Sequence, residues 1–433
     1  YDYDAVGNLE KITLPRGSNY RILNTYDSLN RLTSTTDPEG NRTEYKYNEV
    51  GLTTEIIDPR TFKEGSNYRT TMTYDFLNRL STRTTTLGLS GGGEATEVFV
   101  FDKVGNLKSY QDGRGSYYTT TYKYDELNRV VEVSEPSGTQ ATPGEPIVTG
   151  YDYDKADNVT ITHDPRGTFF DVVQVWDSFN RLVEVHQPTG TASNPGPVAV
   201  SKMTYDLAGN MLTTTDPRGD FYTATYTYDF LNRMRSISQP TGTPDGESET
   251  AISFYDYDAA SNLEKYTDPG GHNTLYTYDK LNRRETEEDN RGNLTTYKYD
   301  EHGNVIKATF AAGEGSLERV VTTTYDKADR PIKITNAEGY VTTNTYDAVG
   351  NLTKVTGPFS GEDGMPFSTT YRFDGGNRVR SMTDAAGYTT EYTYDAVGNQ
   401  LTMTDGRGSY YQITSAYDAQ NRKIRVETPT GTE

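Results

Sequence analysis

The chain has 433 residues, contains no cysteine, and carries a formal net charge of -20 from 62 acidic and 42 basic side chains. This charge disfavours nucleic acids and anionic membranes as partners, and the missing thiols exclude disulfide bonds and thiolate metal sites. The longest apolar runs are also too short to cross a membrane.

A periodic phrase runs through the whole chain, as in YDAVGNL at Tyr3–Leu9 and YDSLNRL at Tyr26–Leu32. Self-similarity at intervals of 21 to 29 residues indicates one supersecondary unit that buries its apolar face only against its neighbours. We therefore predict one repeat domain spanning residues 1–433, and we expect it to be a segment of a longer protein. Its 18 repeats are numbered by their opening aromatic residues, the anchors: Tyr3, Tyr26, Tyr47, Tyr74, Phe101, Tyr124, Tyr153, Trp176, Tyr205, Tyr228, Tyr257, Tyr278, Tyr299, Tyr325, Tyr346, Phe373, Tyr394 and Tyr417.

Each repeat is predicted to form two strands joined by tight turns. The residue after the anchor is Asp in 17 of 18 repeats, and the fourth residue after the anchor is always Gly, Asn, Asp or Ser, which suits a type I turn closed by a G1 bulge. A second corner follows, for example at Asp37–Gly40 and Asp164–Gly167. The Thr-rich segments between the turns, such as Leu9–Thr13 and Thr43–Tyr47, alternate as strands do. The expected fold is all-β.

The spacing of the anchors supports a one-sided sheet. Sixteen of the 17 intervals are odd, and a change of one residue would move the apolar set to the other face. We expect equivalent anchor rings to stack into ladders, with Phe101, Trp176 and Phe373 in the same slot as the tyrosines. Because strand twist accumulates, the tandem hairpins should coil into a spiral, hollow shell or tube.

Odd and even repeats differ at the end of the phrase. Eight of nine odd repeats have Asn there, whereas every even repeat has Arg. Since turn aspartates of adjacent repeats would form a column of like charge, we expect these arginines to reach turn aspartates on adjacent repeats, an interpretation favoured over anion binding. The predicted structural arginines are Arg31, Arg79, Arg129, Arg181, Arg233, Arg283, Arg330, Arg378 and Arg422.

No catalytic, cofactor-binding or metal-binding residues are predicted, and no cofactor is expected. His163, His186, His272 and His302 lie in different repeats and are interpreted as solvated turn histidines. Calcium binding by the aspartate turns is the alternative, but no loop has the DxDxDG spacing, and an aspartate that caps its own turn explains the pattern. Insertions after Pro136, Pro188 and Pro240 should project as loops from one edge of the sheet, where repeat proteins often bind partners.

The YDxxGN and YDxLNR phrases followed by DPxG closely resemble the YD repeats of the RHS family, which includes bacterial wall-associated and polymorphic toxin proteins, Tc toxin shell components and teneurins. The resemblance covers essentially the whole chain. It implies a non-enzymatic ribbon of hairpins wound around a hollow space, secreted or on the cell surface, often housing a toxic segment.

Two functions are compatible with these features: a shell that encloses a cargo polypeptide, which we favour, and an extracellular tube or adhesive fibre without cargo. The expected partners are accordingly an enclosed polypeptide or identical repeat segments, with loops as candidate contacts to a cell surface or glycan. Neither nucleic-acid binding nor membrane insertion is expected.

Overall fold

The computed structural model describes residues 1–65, 67–88, 93–244, 246, 249–313, 317–360 and 366–429. Within these ranges the chain forms strands, one short helix α1 (Pro59–Glu64), and 3-10 turns at Thr168–Phe170, Asp220–Tyr222 and Ser409–Tyr411. The all-β prediction is confirmed.

The strands are β1 (Asp2–Tyr3), β2 (Leu9–Thr13), β3 (Arg21–Tyr26), β4 (Leu32–Thr36), β5 (Arg42–Tyr47), β6 (Thr53–Ile57), β7 (Arg69–Tyr74), β8 (Leu80–Thr86), β9 (Glu94–Phe101), β10 (Leu107–Gln111), β11 (Thr119–Tyr124), β12 (Val130–Glu135), β13 (Ile147–Tyr153), β14 (Val159–His163), β15 (Val172–Trp176), β16 (Leu182–Gln187), β17 (Gly190–Thr191), β18 (Asn194–Pro195), β19 (Ala199–Tyr205), β20 (Met211–Thr215), β21 (Thr223–Tyr228), β22 (Met234–Pro240), β23 (Thr250–Tyr257), β24 (Leu263–Thr267), β25 (Asn273–Tyr278), β26 (Arg284–Glu288), β27 (Asn293–Tyr299), β28 (Val305–Ala312), β29 (Arg319–Tyr325), β30 (Pro331–Thr335), β31 (Val341–Tyr346), β32 (Leu352–Ser360), β33 (Pro366–Phe373), β34 (Val379–Thr383), β35 (Thr389–Tyr394), β36 (Gln400–Thr404), β37 (Gln412–Tyr417) and β38 (Lys423–Glu427).

Thirty-six of these strands form a single antiparallel sheet. Each strand pairs with the one before it and the one after it in the chain, as β3 does with β2 and β4. The small hairpin β17–β18 lies outside this order, within the insertion after Pro188, so β16 pairs directly with β19. The sheet is therefore a continuous ribbon of hairpins.

The turn after each anchor, here the YD turn, has the predicted geometry. The fourth residue after the anchor has a positive φ in all 18 repeats, for example +61° at Asn30 and +95° at Gly7. The strand register shifts beside the anchor, as between Thr25 and Tyr26, which is the expected bulge. Asn is the commonest non-glycine residue at this position because it tolerates the left-handed conformation.

The ribbon returns on itself, and the second corners of early repeats meet the YD turns of late repeats. An arginine at the third position of an odd-numbered corner donates to main-chain oxygens in each case. The contacts are Arg16 Nη1 to Asp326 O at 2.8 Å (repeats 1 and 14), Arg60 Nη1 to Asp374 O at 3.0 Å (repeats 3 and 16), and Arg114 Nη2 to Ala419 O at 3.0 Å (repeats 5 and 18).

The even-numbered corners complete the same contacts. In the turns of repeats 14, 16 and 18, the residue after the turn aspartate donates its main-chain N–H to an even-numbered corner. These bonds are Lys327 to Glu39 Oε1 at 2.6 Å, Gly375 to Leu87 O at 2.9 Å, and Ala419 to Gly138 O at 2.8 Å. In all three arginine contacts, an odd-numbered repeat meets the repeat thirteen places further along. The even-corner contacts join repeats twelve places apart, so one coil of the spiral contains twelve to thirteen repeats. The line of contacts between successive coils is the coil seam.

Several deeply buried side chains lie at the coil seam. Arg60 is 1% exposed, and Tyr68 and Asp374 beside it are also buried. The seam also brings Gly113 against Ala396. By contrast, the total accessible surface is 26083 Å², compared with about 16,500 Å² for a compact monomer of this mass. The molecule is a hollow spiral shell with a thin wall.

Substitution of Gly375 tests the coil seam. A Cβ at this position would lie 2.0 Å from the main-chain oxygen of Thr86 in the neighbouring coil. We expect Gly375→Ala to lower the free energy of unfolding by about 1–3 kcal/mol in chemical denaturation, because the backbones must move apart. The control is Ser178→Ala at the same turn position of repeat 8, which lies away from the seam and should change stability by less than about 0.5 kcal/mol. Equal effects of the two substitutions would contradict the seam.

Candidate functional site at the turn edge

Each YD turn is held by its own aspartate. In repeat 2 the Oδ1 atom of Asp27 accepts hydrogen bonds from the main-chain N–H groups of Leu29 and Arg31, at 2.9 and 3.0 Å. Repeat 3 has Asn48 instead, and its side-chain oxygen accepts from the N–H of Leu52 at 2.9 Å. The second oxygen of the aspartate remains available for the side chain that ends the phrase.

The even-repeat arginines join neighbouring turns. Arg181 donates through Nε to Asp177 of its own turn at 2.7 Å and through Nη1 to the main-chain oxygen of Asp206 in repeat 9 at 2.7 Å. Its guanidinium carbon also lies 4.8 Å from the ring centre of the next anchor, Tyr205. The same donation to the next turn and the same ring contact occur at eight arginines: Arg31, Arg79, Arg129, Arg181, Arg233, Arg283, Arg330 and Arg378.

This geometry refines the expected role of the arginines. Each of the eight reaches the turn of the adjacent repeat, but generally at a main-chain oxygen, while its carboxylate partner is in its own turn. Arg129 additionally pairs with the Asp157 carboxylate of repeat 7 at 2.8 Å. Arg422 in repeat 18 keeps its bond to Asp418, but within the described residues it makes no contact with a following anchor, and it is 69% exposed.

The odd-repeat asparagines bridge in the same direction. Asn210 donates to Asp206 of its own turn and to the side-chain oxygen of Asn232 in repeat 10, both at 2.8 Å. Asn232 is the residue with positive φ in that turn. Arginine and asparagine bridges therefore alternate along the edge, which makes two repeats the structural unit.

The anchors do not stack on one another, so the expected ring ladder was wrong. Among the described residues no two anchors are in ring contact. Successive anchors are two strands apart, about 9.6 Å, which exceeds the stacking range. The ring of each odd anchor from repeat 3 to repeat 17 instead contacts the guanidinium group of the preceding even repeat, at 4.6 to 4.9 Å.

The anchor position also uses the polar atom of its side chain in most repeats. Tyr228 donates its hydroxyl to the main-chain oxygen of Met211 in the preceding repeat at 2.9 Å. Trp176 preserves this bond through its indole N–H, which donates to Val159 O at 2.8 Å. Phe101 and Phe373 occupy the same position without a donor.

The electrostatics of the turn edge follow from these bonds. The hydrogen bond from Arg79 holds the pKa of Asp75 below its usual value, and that from Asn158 does the same for Asp154. At a second corner, the Arg407 side chain lowers the pKa of Asp405 to about 2. These carboxylates are therefore ionised partners of the turns at neutral pH.

The four histidines are not brought together, but one was misjudged. His302 is only 8% exposed in its side chain, because the coil seam covers it, and its Nδ1 atom lies 2.8 Å from Asp329. His163 contacts Asp171, which raises the pKa of the imidazole. The described residues contain no cluster of three potential metal ligands. None of the helices in that part of the chain is long and apolar enough to span a membrane.

The corner arginines of the coil seam, Arg16, Arg60 and Arg114, were missed by the sequence analysis. Their signal is Arg at the third position of the second corner, which recurs in odd repeats as LPRG, DPRT and DGRG. That pattern is visible in the sequence, but it names no partner, since the partner lies about 300 residues away.

An alternating turn edge and a regular coil seam define a tandem-hairpin repeat scaffold. The RHS Repeat family matches residues 26–63, 101–140, 176–220, 257–291, 325–362 and 373–410, more than half of the chain. The chain therefore belongs to the RHS repeat family, as the resemblance predicted. No curated protein matches it.

Solved structures of Tc toxins share the fold. The chain is similar to part of the Photorhabdus luminescens Tc holotoxin pore, with a TM-score of 0.73 and 14% identity over 94% of this chain and 22% of that chain. It is also similar to TcdB2–TccC3 with Cdc42, at a TM-score of 0.58 and 13% identity over 100% and 26% of the two chains. The chain thus spans about a quarter of the length of these proteins.

Removal of one bridging arginine should uncouple two repeats. We expect Arg181→Ala to lower the free energy of unfolding by about 1–2 kcal/mol, since it deletes a charge-assisted hydrogen bond and a cation–π contact. Arg422→Ala is the matched control, because Arg422 has the turn carboxylate but no following repeat contact among the described residues; it should cost less than about 0.5 kcal/mol. Chemical denaturation and amide exchange in repeats 8 and 9 would measure both. Equal effects would refute the coupling.

Acid should weaken the turn edge. A carboxylate whose pKa is lowered on folding stabilises the protein at pH values above its ordinary pKa, which is 3.8 for Asp. This stability is lost as the pH falls through the pKa of the folded state, which is about 2 for Asp405. Thermal unfolding followed by circular dichroism should therefore show a melting temperature that falls below about pH 4. Asp75→Asn should make this fall shallower, since Asn48 shows that the turn accepts an amide. An unchanged acid profile in this variant would contradict the assignment.

Proposed function

We propose that this chain forms the wall of a hollow β-shell that encloses or presents a cargo polypeptide, in a protein that is secreted or displayed on the cell surface. The observation that carries the proposal is the coil seam. It joins successive coils edge to edge through arginine side chains that donate to main-chain oxygens and through main-chain hydrogen bonds, so that the wall closes around a space instead of packing into a core.

The wall carries many polar cross-strand pairs. Many cross-strand positions are threonine pairs joined by hydroxyl hydrogen bonds, such as Thr204 with Thr213 at 2.6 Å and Thr393 with Thr402 at 2.6 Å. Others are ion pairs, such as Lys46 with Glu55 at 2.6 Å. Polar groups that are satisfied within the sheet in this way need no partner from an enclosed chain, which suits release of a cargo.

The similar structures support the same interpretation. They comprise a Tc holotoxin pore and complexes of TcdB2 with TccC3, in one case without a hypervariable C-terminal region. Those proteins thus combine this repeat fold with further polypeptide. The same arrangement in the present protein would place a non-repeat segment or a second polypeptide inside the wall.

Limited proteolysis of the natively purified gene product tests the enclosure. We expect a non-repeat polypeptide that resists protease while the shell is intact and is cleaved in a Gly375→Trp variant, whose bulky side chain would open the coil seam. The control is Ser178→Trp, at the same turn position away from the seam, which should leave the polypeptide protected. A shell without a protected polypeptide would refute the proposal.

The alternative function, an extracellular tube or adhesive fibre without cargo, has one observation in its favour. Both edges of the ribbon retain exposed stretches, including the corner at Arg166 and the YD turn at Leu29. Electron microscopy of the same preparation would separate the two functions, since a fibre gives filaments and a container gives discrete particles with internal density.

A further inference from the structure

Each YD turn is flanked by a pair of residues on the sheet face opposite the anchors, here the edge pair. It consists of the residue before the anchor and the eighth residue after it, which lie directly across from each other on neighbouring strands. In repeats 3 and 6 the edge pair is an ion pair, with contacts of 2.6 and 2.8 Å. In the first twelve repeats every cation of an edge pair faces an acid: Lys11, Lys46, Lys123 and Lys265 lie across from Asp2, Glu55, Glu132 and Asp256.

Repeats 13 to 16 break this rule. Each of their edge pairs contains a cation, and none contains an acid. The eight strands from β27 to β34 contain no Asp or Glu at all. The pairs are Lys298 with Lys307, Thr324 with Lys333, Thr345 with Lys354, and Arg372 with Ser381. We call the cations Lys298, Lys307, Lys333, Lys354 and Arg372 the basic row.

The basic row is exposed on the face of the sheet. All five side chains belong to exposed residues. Lys298 is 60% exposed and lies 3.4 Å from Glu285, and the other four form no ion pair among the described residues. The turn aspartates beside the row are bound within their own turns, as Asp326 is by Arg330 at 2.6 Å. The row therefore has free positive charge.

The exposure of the basic row is not that of an open edge of the array. The YD turns of repeats 14 and 16 meet the corners of repeats 1 and 3 at the coil seam. The coil that adjoins this part of the sheet is thus in place. The five side chains stand on the face, where a neighbouring coil does not reach them.

The basic row destabilises the sheet that carries it. Lys298 lies directly across from Lys307, and like charges at such positions repel each other. Threonines would avoid this, as in the edge pair of repeat 4, where the hydroxyl groups of Thr73 and Thr82 are 2.6 Å apart. A chain with a net charge of -20 nevertheless places five cations without facing acids in four successive repeats. A local cost without a structural gain is typical of a functional surface.

The dimensions of the basic row fit a short acidic peptide. The row crosses from β27 to β33, which is six strand spacings or about 29 Å. An extended polypeptide of about nine residues has this length, and its alternate side chains place about five carboxylates on one side. Double-stranded DNA carries about 17 charges over the same distance, far more than five cations neutralise. Charge density therefore favours the peptide.

We propose that the basic row binds an acidic segment of a partner polypeptide, which lies extended across strands β27 to β33. The cations pair with its carboxylates, and the hydroxyl groups of Thr324 and Thr345, which lie in the same row, can donate to its main chain. Because all the charges are exposed, the contact is reversible and weakens with salt. The inference goes beyond an enclosing wall, since this face can hold the segment whether or not the shell is closed.

Fluorescence anisotropy tests the site. The probe is a nine-residue peptide of alternating Glu and Ser with five glutamates and an uncharged dye, titrated with the 433-residue chain at low salt. Lys307→Thr/Lys333→Thr/Lys354→Thr should raise the Kd at least about tenfold, since it removes three ion pairs.

The matched control for this variant is Lys46→Thr/Lys123→Thr/Lys265→Thr. It removes the same charge from edge pairs whose cations already face acids. Its Kd should stay within about twofold of the unmodified value. Absence of binding by the unmodified chain, or equal losses in the two triple variants, would overturn the proposal.

Two further probes test the chemical class of the ligand. The same peptide with Gln in place of Glu should not bind over the same concentration range. A ten-nucleotide oligothymidylate should bind more weakly than the Glu peptide, because its charge exceeds that of the row. Tighter binding of the oligonucleotide would overturn the assignment to a polypeptide.

Charge reversal at Lys307 tests the repulsion within the row. Lys307→Glu gives repeat 13 the Lys–Glu edge pair of repeat 3, so the melting temperature should rise in circular dichroism while the Kd for the Glu peptide rises several-fold. The control, Lys123→Glu, places two acids across from each other in repeat 6 and should lower the melting temperature. A lower melting temperature for Lys307→Glu would remove the uncompensated cost and overturn the proposal.

Discussion

A guanidinium group at every second turn couples this array. An even-repeat arginine such as Arg181 satisfies the aspartate of its own turn, the main-chain oxygen of the next turn and the ring of the next anchor. A two-stranded hairpin cannot bury enough surface to fold alone, so the stability of the array depends on contacts between neighbours. The arginine supplies that contact at the edge where the turn aspartates would otherwise repel one another.

The anchors complete the coupling from the other side. Between repeats 8 and 9, the Tyr205 hydroxyl reaches back while Arg181 reaches forward, so the two repeats are bound in both directions by a polar group on an apolar body. This explains how a sequence poor in aliphatic residues forms an ordered sheet. The wall needs no thick hydrophobic core, and the described residues contain few fully buried apolar side chains.

The coil adds a second level of the same alternation. Odd corners carry the seam arginines and even turns receive them, because each of these corners meets the turn thirteen repeats further along, an odd number. An even separation would bring odd corners to odd turns, whose main-chain oxygens already bind an arginine within the sheet. The two-repeat pattern along the chain and the thirteen-repeat pattern between coils therefore support each other.

Much of this architecture follows from the sequence alone. The Asp and Gly or Asn positions predict the turns, and the odd spacing of the anchors predicts a continuous one-sided sheet, because both depend on residues close together in the chain. Strand β2 has the predicted bounds Leu9–Thr13. The alternation of Asn and Arg at the end of the phrase likewise distinguishes odd from even repeats.

The tertiary structure decided what depends on distance between repeats. The separation of two strands excludes a ladder of anchor rings, and the rings of odd anchors such as Tyr205 contact a guanidinium group instead. The curvature of the sheet sets the length of the coil, and this length selects which corners meet which turns. It buries Arg60 and His302, whose partners Asp374 and Asp329 belong to other repeats. Local sequence determines turns and strands, whereas the accumulated twist of 36 strands determines the seam.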